Sequence, residues 1–191
     1  MIDPDRMERH LKTLISGDVR FDEITRTIYS TAACLYKIKP IGVIYPRSVD
    51  DLVKLAEYAS DQRIPLTARG AGSSLAGQAV NDGLIVDLSK YMNRIIEVNS
   101  DEGYAVVQPG VVQDVLQGEL KRYGKFFPPD TSSSAYSTIG GGIANNSSGA
   151  RSVKYGTTKD YVLSLEAVLS DGDLVRTEPV RLELIPDEFP G

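Results

Sequence analysis

Apolar positions along this chain fall alternately into helical stripes and short continuous runs. Met7, Leu11, Leu14 and Ile15 recur at three- and four-residue spacing, which predicts one face of a helix with Asp3 as its cap, Pro4 at its first position and Gly17 closing it. Asp18 to Lys39 follows no single period. Ile41-Gly42-Val43-Ile44-Tyr45, stopped by Pro46, has the pattern of a buried strand. Ser48 then caps a helix that carries Asp50 and Asp51 in its first turn and turns Leu52, Val53, Leu55, Ala56 and Ala59 inward. Pro65-Leu66-Thr67-Ala68 predicts a second short strand and Leu84-Ile85-Val86-Asp87-Leu88 a third. Ile95–Val98 and Tyr104–Gln108, split by the turn-rich Asn99–Gly103, predict a hairpin, and a helix follows from Val112 to Tyr123, ended by Gly124. Tyr161–Leu169 and Leu174–Thr177, joined across Asp171-Gly172, predict a closing hairpin. The pattern as a whole is α+β, with no internal repeat.

Length and charge narrow the function classes. The 191 residues suit one domain, or one with a short appendage. A net charge of −5 gives a nucleic-acid or anionic-membrane surface no electrostatic support. No apolar run is long enough to span a bilayer, and the polar start (Asp3, Asp5, Arg6, Glu8, Arg9, His10) is not a secretory signal, so the expected compartment is the cytoplasm. The single cysteine, Cys34, cannot form an internal disulfide and is expected to be a small buried apolar residue. His10, the single histidine, is expected on a solvated helix face, and the two residues cannot make a metal site without carboxylates.

The candidate chemistry lies in two glycine-rich segments, Arg69-Gly70-Ala71-Gly72-Ser73-Ser74-Leu75-Ala76-Gly77 and Thr138-Ile139-Gly140-Gly141-Gly142-Ile143-Ala144-Asn145-Asn146-Ser147-Ser148-Gly149. Residues without bulky side chains let consecutive backbone N–H groups turn toward an anion and approach it closely. Either segment alone reads better as a surface turn than as a ligand cradle. Two in one small chain point to a diphosphate-bearing ligand. No G-x-x-x-x-G-K-[ST] is present, and Leu75 stands where a Rossmann fingerprint needs its third glycine, so P-loop and Rossmann readings are set aside.

Order and spacing carry the reading further. Pro65–Gln78, Gln108-Pro109-Gly110-Val111, Pro128-Pro129-Asp130, Thr138-Ile139-Gly140-Gly141, Asn145–Arg151 and Tyr155-Gly156 together resemble the FAD-binding (PCMH-type) domain of the vanillyl-alcohol oxidase/p-cresol methylhydroxylase superfamily. Within it the chain looks most like FAD-linked 2-hydroxy-acid dehydrogenases, among them D-lactate dehydrogenases and glycolate oxidase subunits. That resemblance implies two α/β subdomains with the dinucleotide between them, preceded by an N-terminal helical arm. It divides the chain into an arm (1–35), a FAD-binding domain (36–181) and the start of a linker (182–191) to a substrate-binding cap domain, with an iron–sulfur domain further on in some members. It also admits peripheral attachment of the full protein to the inner membrane.

The same resemblance implies roles for particular residues. Arg69, Gly70, Ala71, Gly72, Ser73, Ser74 and Gly77 would wrap the pyrophosphate. Thr138, Ile139, Gly140 and Gly141 would form the opposite wall and start a short helix with its first amides aimed at phosphate. Asn145, Ser148 and Gly149 would flank the flavin or its ribityl chain, Pro109-Gly110 and Pro129-Asp130 would shape the two ends of the cofactor, and backbone at Val162 would meet adenine, with Tyr155 a further contact. FAD is expected to be non-covalent, because Ser73 stands where tethering members carry histidine. Nothing matches the histidine-rich substrate segment of the hydroxy-acid branch, so no catalytic residue is expected in this chain, and FAD itself would carry the hydride chemistry. A stand-alone FAD-binding electron-transfer subunit, or a nucleotide binder without flavin, also fits these residues.

Overall fold

A computed structural model describes residues 3–178, so the expected linker at 182–191 lies outside the described residues. Helix α1 (Pro4–Leu14) begins where Asp3 accepts the amides of Asp5 and Arg6 at 3.0 and 3.2 Å. The aperiodic stretch after it holds strand β1 (Asp18–Arg20) and helix α2 (Glu23–Ile28). The apolar run at 41–45 forms β2 (Gly42–Tyr45), followed by α3 (Val49–Gln62), β3 (Leu66–Arg69) and β4 (Leu84–Asp87). These strands make one sheet in the order β1-β2-β4-β3, with β2 and β3 both parallel to the central β4 and β1 antiparallel at the edge.

All four residues of β4 are buried, which is why its sequence is an unbroken Leu-Ile-Val run rather than an alternation. Met7, Leu11 and Ile15 pack into the same core as Ile44, Leu55, Ala59, Leu84 and Val86. The amino-terminal residues read as an arm are therefore part of this first core. Cys34, expected to be buried, is only partly so, with its thiol 3.7 Å from the Tyr36 carbonyl. His10 is exposed and lies against Tyr58, ring centroids 5.0 Å apart.

A buried carboxylate closes the corner between β1, β2 and α3. Asp51 is 2% exposed and accepts the Ser16 amide at 2.7 Å, the Arg47 amide at 2.8 Å and the Ser16 hydroxyl at 3.0 Å. Asp51→Ala would strand two backbone donors together, and is expected to cost about 2 kcal/mol. Urea denaturation monitored by circular dichroism tests this; a midpoint equal to the parent's would show that water replaces the carboxylate without loss.

The second half begins with the hairpin β5 (Ile95–Asn99) and β6 (Tyr104–Val107), which pairs antiparallel. It packs with α4 (Gln113–Lys121) and α5 (Ile139–Ala144) around a separate core of Val111, Leu116 and Ile139. A short helix α6 (Ser152–Tyr155) and a 3-10 turn (Thr158–Tyr161) come next, then the hairpin β7 (Leu165–Val168) with β8 (Leu174–Thr177). The expected strand from Tyr161 is thus shortened at its start. Asp160 accepts the Thr157 amide at 2.7 Å, which holds its carboxyl below the usual range and commits the chain to a turn there. Two cores, each with its own sheet and helices, give the expected α+β architecture.

Candidate functional site

Strand β3 delivers Arg69 to the edge of the first core, and the chain then loops out through Gly70–Gly77. Gly72 and Gly77 have φ of 69° and 93°, conformations that a side chain would strain. Among the described residues, the amides of Ala71, Gly72, Ser73, Ser74 and Leu75 donate to no protein acceptor. The next amide, Ala76, turns back to Gln78 Oε1 at 3.1 Å. Five successive donors without a partner, on a loop bordering a cavity, are the makings of an anion cradle.

The second glycine segment is built differently. Thr138 caps α5, as its position predicts, with Oγ1 accepting the Gly141 amide at 3.3 Å. The Ile139 amide donates to Val111 O and the Gly140 amide to Pro109 O, both at 2.8 Å. The expectation that these first amides aim at a phosphate is corrected: they are engaged in fastening the segment to residues 109–111. Its glycines serve close approach instead. A Cβ at Gly140 would press into Pro109, and one at Gly70 into Thr138, so these two glycines let neighbouring segments touch. Gly141 and Gly142 differ, since a Cβ there would meet only Thr138 Oγ1 at 3.3 Å and Thr158 Oγ1 at 4.0 Å respectively. A Cβ at Gly141 would thus be tight against the helix cap, whereas one at Gly142 would make only an ordinary van der Waals contact.

Between the two segments lies a cavity of about 610 Å³. Of the expected residues, Arg69, Gly70, Ala71, Gly72, Ser73, Ser74, Pro109, Thr138, Gly140, Gly141, Asn145 and Ser148 line it. A second cavity of about 520 Å³ adjoins it through the shared Ala71 and Thr138, and Gly110 lines that one. Among the described residues no carboxylate lines either cavity, although acidic residues outnumber basic ones in the chain as a whole. The two cavities share a wall at Ala71 and Thr138, and together they form one groove, whose described walls carry no negative side chain.

Seven expected residues are not on these walls, and each has another partner. Gly77 packs against the Tyr36 ring. Pro129 is buried, and its carbonyl accepts the Gln113 side-chain amide. Asp130 accepts the Arg151 amide at 2.8 Å and pairs with its guanidinium at 3.4 Å, while Gly149 lets that loop pass against Asp130. Ile139 belongs to the second core. The Tyr155 ring stands edge-on to Phe126, centroids 5.7 Å apart, and Val162 ends the 3-10 turn. Wall residues not anticipated include Gln78, whose amide donates to Asn145 Oδ1 at 2.8 Å across the groove, and Ser132 and Ser133. The hydroxyl run Thr131-Ser132-Ser133-Ser134, directly after Pro129-Asp130, was a legible signal for the latter pair.

Comparison with known proteins bears on what the groove holds. Residues 40–178 match a family described as FAD binding domain. Over 172 residues the chain is 42% identical to D-2-hydroxyglutarate dehydrogenase of Escherichia coli (strain K12), covering 88% of this chain and 17% of that protein. Over 181 residues it is 40% identical to glycolate oxidase subunit GlcD of Bacillus subtilis (strain 168), covering 93% of this chain and 38% of the subunit. A solved structure of alkyldihydroxyacetonephosphate synthase superposes with a TM-score of 0.80 at 25% identity, over 94% of this chain and 38% of that one. The chain thus spans well under half the length of these relatives. Among the described residues, no helix is long and apolar enough to cross a membrane.

Proposed function

We propose, for a chain that belongs to the FAD binding domain family, that its groove holds FAD non-covalently as one part of a longer flavoenzyme oxidising a small 2-hydroxy acid. The observation that carries this is the run of unpartnered amides from Ala71 to Leu75 on a groove without a carboxylate. These amides, with the Ser73 and Ser74 hydroxyls, suit a pyrophosphate, whose oxygens each accept several donors. The first glycine loop is the phosphate cradle, and the wall at Gly142 leaves room for the ligand to pass. Gln78 and Asn145 tie the two walls together at a fixed separation.

When bound, FAD supplies the redox chemistry, and this chain supplies affinity, orientation and shielding from water. The cation that holds the substrate's carboxylate and the base that takes its hydroxyl proton are assigned to the remaining length that the relatives possess. We place the cofactor domain at 36–181 and a substrate-binding cap after it. The pairing of a D-2-hydroxyglutarate dehydrogenase with a glycolate oxidase subunit among the similar proteins supports a 2-hydroxy-acid substrate class.

The chain is expected to take up FAD in preference to FMN, because FMN has one phosphate for a cradle of five amides. Acid precipitation of the loaded protein should then leave all flavin in the supernatant, identified as FAD by mass spectrometry. Flavin retained in the pellet would contradict a non-covalent site, and tighter binding of FMN would contradict a diphosphate cradle.

A further inference from the structure

Among the described residues, Arg69 is the one charged residue on the wall of the larger cavity, and its guanidinium is held by the protein's own backbone. Nη1 donates to the carbonyls of Tyr29 at 3.2 Å and Ala79 at 3.0 Å, and Nη2 donates to Thr31 O at 2.9 Å. The group also lies over the Tyr29 ring, 4.9 Å from its centroid. Ala79 stands just beyond the glycine loop, so one side chain joins the start of the loop to its far end. The Gly72 backbone comes close enough that a Cβ there would lie 2.6 Å from Nη2, and the Gly72 carbonyl accepts the Ala33 amide at 2.9 Å. The loop is thus wrapped on the guanidinium and fastened from outside by residues 29–33.

Among the described residues the charge has no carboxylate at ion-pair distance. Asp87 is the register partner of Arg69 on β4, yet its carboxylate accepts from the Tyr29 hydroxyl at 2.5 Å and from the Ser89 amide and hydroxyl at 2.7 and 2.6 Å. Burial and the bond to Asp87 push the Tyr29 phenol far above its usual range, so it remains a neutral donor there and does not compete for the guanidinium.

We propose that Arg69 is a positioning residue for the cofactor: through its three carbonyl bonds it sets the curvature that aligns the amides of Ala71–Leu75, and its unpaired charge biases that loop toward an anion. This rests on the FAD reading above. A planar fork makes such a three-way bridge, and a lysine ammonium keeps the charge without the plane. Residues 29–33, outside the groove, become part of the cofactor site's support.

Isothermal titration of FAD into the parent chain, Arg69→Lys and Arg69→Met at low and high salt tests this. Arg69→Lys should bind about tenfold more weakly, the order expected from losing charged hydrogen bonds, while keeping the parent's salt dependence. Arg69→Met should bind more weakly still, with a flattened salt dependence. A role confined to stability would lower melting temperatures and leave these salt responses equal. Equal FAD affinity of parent and Arg69→Lys would overturn the proposal. Should either variant fail to fold, hydrogen exchange on the parent decides, because FAD should slow exchange of the Ala33 amide, and no slowing there would overturn the proposed fastening. A parent that takes up no FAD at all is a different result, and overturns the cofactor reading itself.

Discussion

Gly142→Val is expected to weaken FAD binding at least about a hundredfold, roughly 3 kcal/mol, while leaving the melting temperature near that of the parent. Gly142 lines the larger cavity, and a Cβ there meets nothing nearer than Thr158 Oγ1 at 4.0 Å. Its backbone lies inside α5 without a positive φ, so a β-branched residue is tolerated and even gains slightly in helix propensity over glycine. The two γ-methyl groups then occupy space the cofactor needs. Gly72 and Gly140 look like equally good targets in the sequence, yet they would test something else. Valine at Gly72 meets a φ of 69° and the Arg69 guanidinium, and at Gly140 it drives into Pro109, so both should lose stability as well as binding. Titration with FAD alongside thermal melts separates the cases, and unchanged affinity in Gly142→Val would mean that this wall does not face the cofactor.

A second large effect concerns turnover. The 191-residue chain loaded with FAD is expected to oxidise 2-hydroxy acids at a negligible rate, at least about a thousandfold below a full-length relative, because positioning and general-base terms are both missing. Among the described residues, those lining the two cavities include no histidine, carboxylate or lysine to accept the hydroxyl proton. Their one cation, Arg69, is engaged by three carbonyls and is poorly placed to clamp a substrate carboxylate. His10 is on α1, outside both cavities. Anaerobic mixing with D-2-hydroxyglutarate, glycolate and D-lactate, following bleaching of the flavin absorbance, is the measurement. Bleaching within minutes would place the base inside these residues and defeat the proposed division between cofactor and substrate domains.

Features whose cause is local were legible in the sequence. Asp3 and Ser48 cap their helices because each side chain reaches an amide two or three residues ahead, and β4 reads as Leu-Ile-Val because burial on both faces removes any need for alternation. The glycine segments announced a ligand because glycine-rich, hydroxyl-bearing loops leave backbone amides accessible, and their order carried the family. What each glycine does was decided only in three dimensions. Gly70, Gly140 and Gly149 make room for Thr138, Pro109 and Asp130, whereas a Cβ at Gly142 would meet only Thr158 Oγ1 at 4.0 Å, and nothing in a run of identical residues distinguishes these roles. The α5 amides were misread for the same reason, since their acceptors at Pro109 and Val111 lie about thirty residues earlier in the chain. Arg69 illustrates the limit most clearly: its partners come from residues 29, 31 and 79, and whether a guanidinium meets a ligand or a carbonyl depends on which backbone the fold brings within 3 Å of it.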